Sequence, residues 1–219
     1  SAREIAPNLI VAFFGDHGLT LQSKALLRLV RGEGADMVLH LGDLDYTNNA
    51  DAFEAHVNEI LGEDFPYFAV IGNHDRIAWP DYREIFRDRL QRVPDAKCEG
   101  NLGIRATCTY KGLFFVMFAV GIDPTDDGRL ADVGDWAESD AFIADSLARS
   151  DARWNVCAWH KNQRAMQVGN KEDETGWGLY EACRKAGAII ATGTHRANTP
   201  DELAEMLGPE VVQAYRVIN

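Results

Sequence analysis

The side chains Asp16, Asp43, Tyr46, Asn73, His74, His160 and His195 all stand just past apolar runs of this sequence. Between them they offer carboxylate, phenol, carboxamide and imidazole donors. Hard oxygens mixed with imidazole suit first-row transition metals better than calcium or magnesium. The donors outnumber what one tetrahedral ion needs, which favours two ions sharing a bridging carboxylate. Such pairs sit ~3.5–4 Å apart and clamp the attacking and leaving oxygens of a phosphoryl displacement. Tyr46 narrows the choice of metal. A phenol with a pKa of about 10 ligates at neutral pH only to a strong Lewis acid, and ferric iron is the natural one.

Donors from separated segments converge only if the strands before them end at one edge. Leu9–Phe14, a continuous apolar run expected to be buried on both faces, runs into Gly15–Asp16–His17–Gly18, and Met37–Leu41 runs into Gly42–Asp43–Leu44–Asp45–Tyr46. Tyr67–Ile71 then runs into Gly72–Asn73–His74–Asp75. Between these strands the apolar spacing of Leu21, Ala25, Leu26, Leu29 and Val30 predicts a helix over Leu19–Val30, stopped by Gly32 and Gly34, with another over Ala52–Leu61, stopped by Gly62. Strand, helix and strand at that spacing make βαβ crossovers, right-handed by rule. In open α/β sheets, the crevice beyond the strand ends is where ligands are held. His56 lies among apolar neighbours on the second helix, away from any strand tip, and reads as a structural histidine.

Further along, Tyr82–Arg92 reads as a polar helix over the sheet edge. Leu102–Tyr110 and Leu113–Val120 flank Lys111–Gly112 as a hairpin, which starts a second sheet packed on the first. Trp136–Arg149 is an amphipathic helix, and Trp154–Trp159 is a buried strand with His160 at its end. Lys161–Gly178 is long and polar, a candidate substrate loop by length. Leu179–Lys185 is helical, and the buried strand Ala188–Thr192 leads into Gly193–Thr194–His195.

At 219 residues and 46% apolar, the chain can bury a full core. No apolar run approaches the ~20 residues of a membrane helix, and no secretory leader is read ahead of the first strand. A net charge of −12 excludes nucleic acid and acidic membranes as partners. Phosphate chemistry then needs local positive charge. Lys161, Arg164 and Arg196 either supply it or are simple surface charges. Trp159 and Trp177 read as packing residues. The four cysteines show no C-x-x-C spacing, against a structural zinc cluster. Cys98 and Cys108 flank the turn Glu99–Gly103 and either bridge in an oxidising compartment or stay reduced. Cys157 and Cys183, in apolar settings, read as core thiols.

Four ordered motifs now resemble those of the purple acid phosphatases, which are calcineurin-like metallophosphoesterases: Gly-Asp-x-Gly (Gly15–Gly18), Gly-Asp-x-x-Tyr (Gly42–Tyr46), Gly-Asn-His-Asp (Gly72–Asp75) and Val-x-x-x-His (Val156–His160). The resemblance spans residue 9 to about 195. It implies an α/β fold, a four-layer α/β/β/α sandwich of two mixed sheets, with hydrolysis of a small phosphorylated substrate at a dinuclear centre. It also implies an extracytoplasmic or secreted location. Position by position, it implies Asp16 and Tyr46 on Fe(III), Asp43 bridging, and Asn73 and His160 on a divalent iron, zinc or manganese. His74 would hydrogen-bond the phosphate or protonate the leaving alkoxide. His17 occupies the variable position of its motif and is not carried over.

The fifth motif departs from the pattern. The family ends a strand with Gly-His-x-His, whereas here Gly193 is followed by Thr194–His195–Arg196. His195 is the one remaining candidate ligand of that motif. Residues 1–195 therefore read as the metallophosphoesterase domain and 196–219 as a divergent C-terminal extension. In that extension Thr199–Pro200–Asp201–Glu202 forms a capping box that opens a short helix. The altered motif also motivates a second reading, a catalytically silent binding domain with an incomplete metal site.

Overall fold

A strand buried between two layers has to be apolar on both faces, and Met37–Leu39 and Tyr67–Ala69, in the sheet that carries most of the candidate donors, follow that rule. The structure is a computed structural model that describes residues 9–122, 136–167 and 172–193. Strands β1 (Val11–Phe14), β2 (Met37–His40) and β3 (Tyr67–Ala69) form one sheet in the order β1-β2-β3, parallel at both pairings. Helices α1 (Leu21–Gly32) and α2 (Ala50–Leu61) are the crossovers, and α3 (Trp79–Arg92) follows β3. The second sheet contains β4 (Lys97–Asn101), β5 (Arg105–Tyr110), β6 (Leu113–Phe118), β7 (Trp154–Trp159) and β8 (Ile189–Thr192), in that order. It is antiparallel from β4 to β6 and parallel from β6 to β8. Helices α4 (Trp136–Ala148) and α5 (Trp177–Lys185) belong with it.

Side-chain alternation assigns the layers. Along β6, Phe115 and Met117 join the core shared with the first sheet, while Val116 and Phe118 join a second core with α4 and α5. Strand β7 divides likewise, with Val156 and Ala158 on one side and Cys157 and Trp159 on the other. Phe68 of β3 meets Phe115 of β6 edge to face, ring centroids 4.7 Å apart, where the sheets touch. On the opposite face of β3, Tyr67 packs on Phe53 of α2 and Phe86 of α3. The result is the expected α/β/β/α sandwich. Among the described residues, mixed strand direction is confined to the second sheet.

Local signals act where physics requires them. Thr20 and Ser23 form a capping box that opens α1, and Asn49 caps α2 by accepting from Ala52 N at 3.0 Å. Lys111 and Gly112 take φ of 44° and 87°, the left-handed pair that a two-residue hairpin turn needs. Arg89 is buried and donates to the carbonyls of Gly62 (2.8 Å) and Glu63 (3.0 Å), pinning the link from α2 to β3.

Some expectations need correction. Strand β1 is not buried on both faces. Among the described residues it is the first strand in the sheet order, and Phe13 is 39% exposed. Strand β8 comes last in the sheet order among the described residues, and it buries only Ala191. Leu21 and Leu29 of α1 face solvent at 79% and 49% exposure, because Ser23, Leu27 and Val30 form the inward stripe. The turn expected at Glu99–Gly103 begins as strand: β4 pairs Cys98 directly with Cys108, and the two are disulfide-bonded. Cys157 and Cys183 are not core thiols but a second disulfide, since β7 turns Cys157 toward the helix that carries Cys183. His195, Arg196 and the extension 196–219 lie outside the described residues.

A group of imidazoles is buried between the first sheet and its helices. The rings of His17 and His40 are 5.9 Å apart, and those of His17 and His56 are 5.4 Å apart. His56 Nε2 lies 3.2 Å from Ser23 Oγ, and His40 Nδ1 accepts from Gly42 N at 3.2 Å. Burial, then the charge of His56, depresses His17 to about 3. Burial, then the charges of His17 and His160, holds His40 well below the usual histidine range. These rings are neutral when folded but take protons when unfolded. Their contribution is fully present above pH ~6.5 and declines below it by about 1.4 kcal/mol per pH unit per ring. For His17 the decline ends near pH 3, where the folded ring is itself protonated. Urea unfolding at pH 6.5 and pH 5 should therefore show a loss of about 2 kcal/mol from His17 alone. The His17→Phe variant should lack that share, and a pH dependence unchanged by it would refute the assignment.

Candidate metal centre

Each candidate donor sits where a strand has just ended, so its backbone must turn without losing the ladder's hydrogen bonds. The turns after β1 and β2 solve this together. Asp16 N donates to Gly42 O, His17 N to Asp43 O and Gly18 N to Leu44 O, each at 2.9 Å. The two turns therefore run side by side beyond the sheet. Asp16, Asp43 and Tyr46 take φ of 54°, 58° and 62°, a left-handed conformation uncommon outside glycine. Such conformations at the donor positions themselves are backbone strain held in place by the surroundings.

Asp75 does much of the holding. Its buried carboxylate accepts Gly72 N at 2.7 Å, Leu44 N at 2.8 Å and Asp43 N at 2.9 Å, tying the turn after β3 to the turn after β2. Burial, then the nearby Asp43 charge, raises its pKa to about 7 against the pull of the N–H donors. In the sequence Asp75 is only the acid that closes the Gly72–Asp75 motif. The signal was its acidic type after a tight turn, and only the structure reveals the donors it meets.

The turns bring the carboxylates together with an imidazole from the second sheet. Ligand atoms of Asp16, Asp43 and His160 all lie within 4.8 Å of one another. Asp43 Oδ1 accepts His74 N at 3.0 Å, and Asp43 Oδ2 lies 3.4 Å from His160 Nε2. His160 is fully buried, and its Nδ1 donates to Leu41 O at 2.7 Å, which leaves Nε2 facing the carboxylates. Burial opposes a charge on His160, but Asp43 and then Asp16 outweigh it and raise the ring to about 8. Burial pushes Asp43 up, but hydrogen bonds from His160 and His74 N with their charges hold it below the usual carboxylate range. Asn73 Oδ1 is buried with no hydrogen-bond partner, an acceptor without a donor.

Tyr46 donates its hydroxyl to Asp16 Oδ1 at 3.1 Å. Burial and the carboxylates of Asp16 and Asp43 push that phenol far above its usual value. His74 is half exposed, with its ring 5.0 Å from that of Tyr46 and its Nε2 4.0 Å from Asp43 Oδ2. The arrangement concentrates negative charge and lone pairs at one point, as a cation would require. Lys161 is drawn off into an ion pair with Glu174 at 2.9 Å, whereas Arg164 stays exposed. Trp159 is buried packing as expected, and Trp177 is half exposed.

Residues 9–197 match the family model described as calcineurin-like phosphoesterase. Among solved structures, the chain resembles the purple acid phosphatase PPD1 isolated from seeds of yellow lupin (Lupinus luteus). That match has a TM-score of 0.55 and 18% identity, over 84% of this chain and 37% of the lupin chain. At that identity the likeness is one of fold, and this chain spans little more than a third of the lupin protein's length. Comparison with curated protein sequences finds no match.

The grip of Asp75 is directly testable. Asp75→Asn keeps the shape but turns an amide group toward at least one backbone N–H. We expect a loss of about 2–4 kcal/mol in chemical denaturation. A variant as stable as the wild type would mean that Asp75 does not join the two turns.

Proposed function

The chain belongs to the calcineurin-like phosphoesterase family, and we propose that within it this protein is a dinuclear-metal phosphomonoesterase of the acid phosphatase type. The observation that carries the reading is the convergence of Asp16, Asp43 and His160 from separate strand ends of two sheets. The donor set fits metal ions. A buried and a partly buried carboxylate face an imidazole whose other nitrogen is tied to a carbonyl, and the buried Asn73 oxygen has no donor. Asp16 and Tyr46 would hold Fe(III), Asp43 would bridge, and Asn73, His160 and His195 would hold a divalent iron, zinc or manganese. When bound, those ions supply Lewis acidity toward the phosphoryl oxygens and lower the pKa of water.

The remaining work falls to the chain. Asp75 and the paired turns keep Asp16 and Asp43 from reorienting as charge develops. The Leu41 carbonyl holds His160 in the tautomer with Nε2 free of its proton when a metal is taken up. His74, anchored through its backbone but with an exposed ring, is the group able to hydrogen-bond a phosphate oxygen or give a proton to the leaving alkoxide. A small phosphorylated substrate is the expected partner. The disulfides Cys98–Cys108 and Cys157–Cys183 support a secreted or other extracytoplasmic location, where thiols oxidise.

Asp43→Asn should abolish hydrolysis of a generic phosphomonoester with the far-UV spectrum unchanged, and retained activity would overturn the assignment. Metal analysis of the wild type should find two ions per chain, with a visible band if a ferric ion meets the Tyr46 phenolate. A colourless protein that takes up no metal would favour the silent binding domain.

A further inference from the structure

His160 lies in a slot between backbones. A Cβ on Gly193 would stand 2.5 Å from His160 Nδ1, and one on Gly42 would stand 2.7 Å from the same nitrogen. Glycine at both positions is what lets the ring lie against Leu41 O. The direction of Nε2 therefore depends on how Gly193, just past β8, is held.

Gly193 is held at both ends. Its N–H donates to Trp159 O at 2.9 Å, continuing the ladder with β7. Its carbonyl accepts Asn162 Nδ2 at 2.6 Å. Asn162 is buried, and its other side-chain atom, Oδ1, accepts the Tyr180 hydroxyl at 2.7 Å. The Tyr180 oxygen in turn accepts Gln163 N at 3.1 Å. The Asn162 carbonyl takes Gln167 Nε2 at 2.8 Å and Glu174 N at 3.1 Å. Asn162 cannot rotate without stranding a buried donor or acceptor, and Tyr180 fixes which way its amide points.

We propose that Asn162, backed by Tyr180, is a positioning residue for His160: it presses Gly193 against the imidazole and so sets the nitrogen presented to Asp43. The signal is not periodic. It is a buried amide two residues past a candidate ligand, matched to a tyrosine on the helix behind it. The catalytic meaning of the inference rests on the metal reading above, but its geometry does not.

The test uses the full chain with Asn162→Ala and with Tyr180→Phe, the second removing only a hydroxyl and so preserving the fold. In the metal-free wild type the His160 Nδ1 proton should exchange slowly with solvent by NMR, because it is buried against Leu41 O. Both variants should lose that protection while their backbone spectra elsewhere stay unchanged. In parallel, Zn²⁺ or Mn²⁺ titration should show affinity about 10–100-fold weaker in the variants. A protected proton retained in a folded Tyr180→Phe variant overturns the proposal, whatever the titration reads. If that protection is lost but the wild type takes up neither ion, the positioning role stands and the metal reading fails.

Discussion

One carboxylate buried among backbone donors holds the centre together. Asp75 accepts N–H groups from Gly72, Asp43 and Leu44, so the ends of β2 and β3 meet through an ionisable group that solvent does not reach. Leaving these buried backbone donors unmade would be expensive. The grip therefore tolerates the left-handed backbone at Asp43 that aims its side chain at His160. Through the paired turns it extends to Asp16, and through the Asp16 carboxylate to Tyr46.

That construction gathers charge of one sign. Asp16 stands beside Asp43 and Asp75, two carboxyls whose burial disfavours ionisation, and the charge balance differs between those two. His160 relieves Asp43 by accepting a proton, and Asp75 relieves itself by rising toward neutrality. A multivalent cation would do the same for the group as a whole. The strain and the charge have one explanation in common, which neither has separately. A net charge of −12 sharpens the point, because an anionic substrate gains little from the rest of the surface.

The parts of this arrangement that could be read from sequence were those written in local pattern. An apolar run ending in glycine and then an acid or amide located the turns holding Asp16, Asp43 and Asn73, because strand and turn chemistry act within a few residues. The crossover helices and the Lys111–Gly112 hairpin were legible for the same reason. What escaped was set by neighbours distant in sequence. Phe13 on β1 is exposed whereas all of β3 is buried, and what covers a strand is not written in the strand itself. Strand β4, with charges and a glycine in five residues, has no apolar period to betray it. The bond between Cys157 and Cys183 depends on which face of β7 the helix covers. Asp75 and Asn162 serve backbone atoms, and no residue type advertises a carbonyl or an amide that needs a partner.

Strand β4 ends the second sheet, and its residues are mostly open to water. An outermost ribbon of this kind ordinarily frays, and its unpaired backbone invites a foreign chain to pair with it. Here Cys98 and Cys108 sit opposite each other in the register, so the covalent link welds that ribbon to the strand inside it. Peeling from either end of the ribbon stops at the weld. A rim with little packing to protect it thus gains a covalent hold against a protease, an advantage that lasts as long as the surroundings stay oxidising.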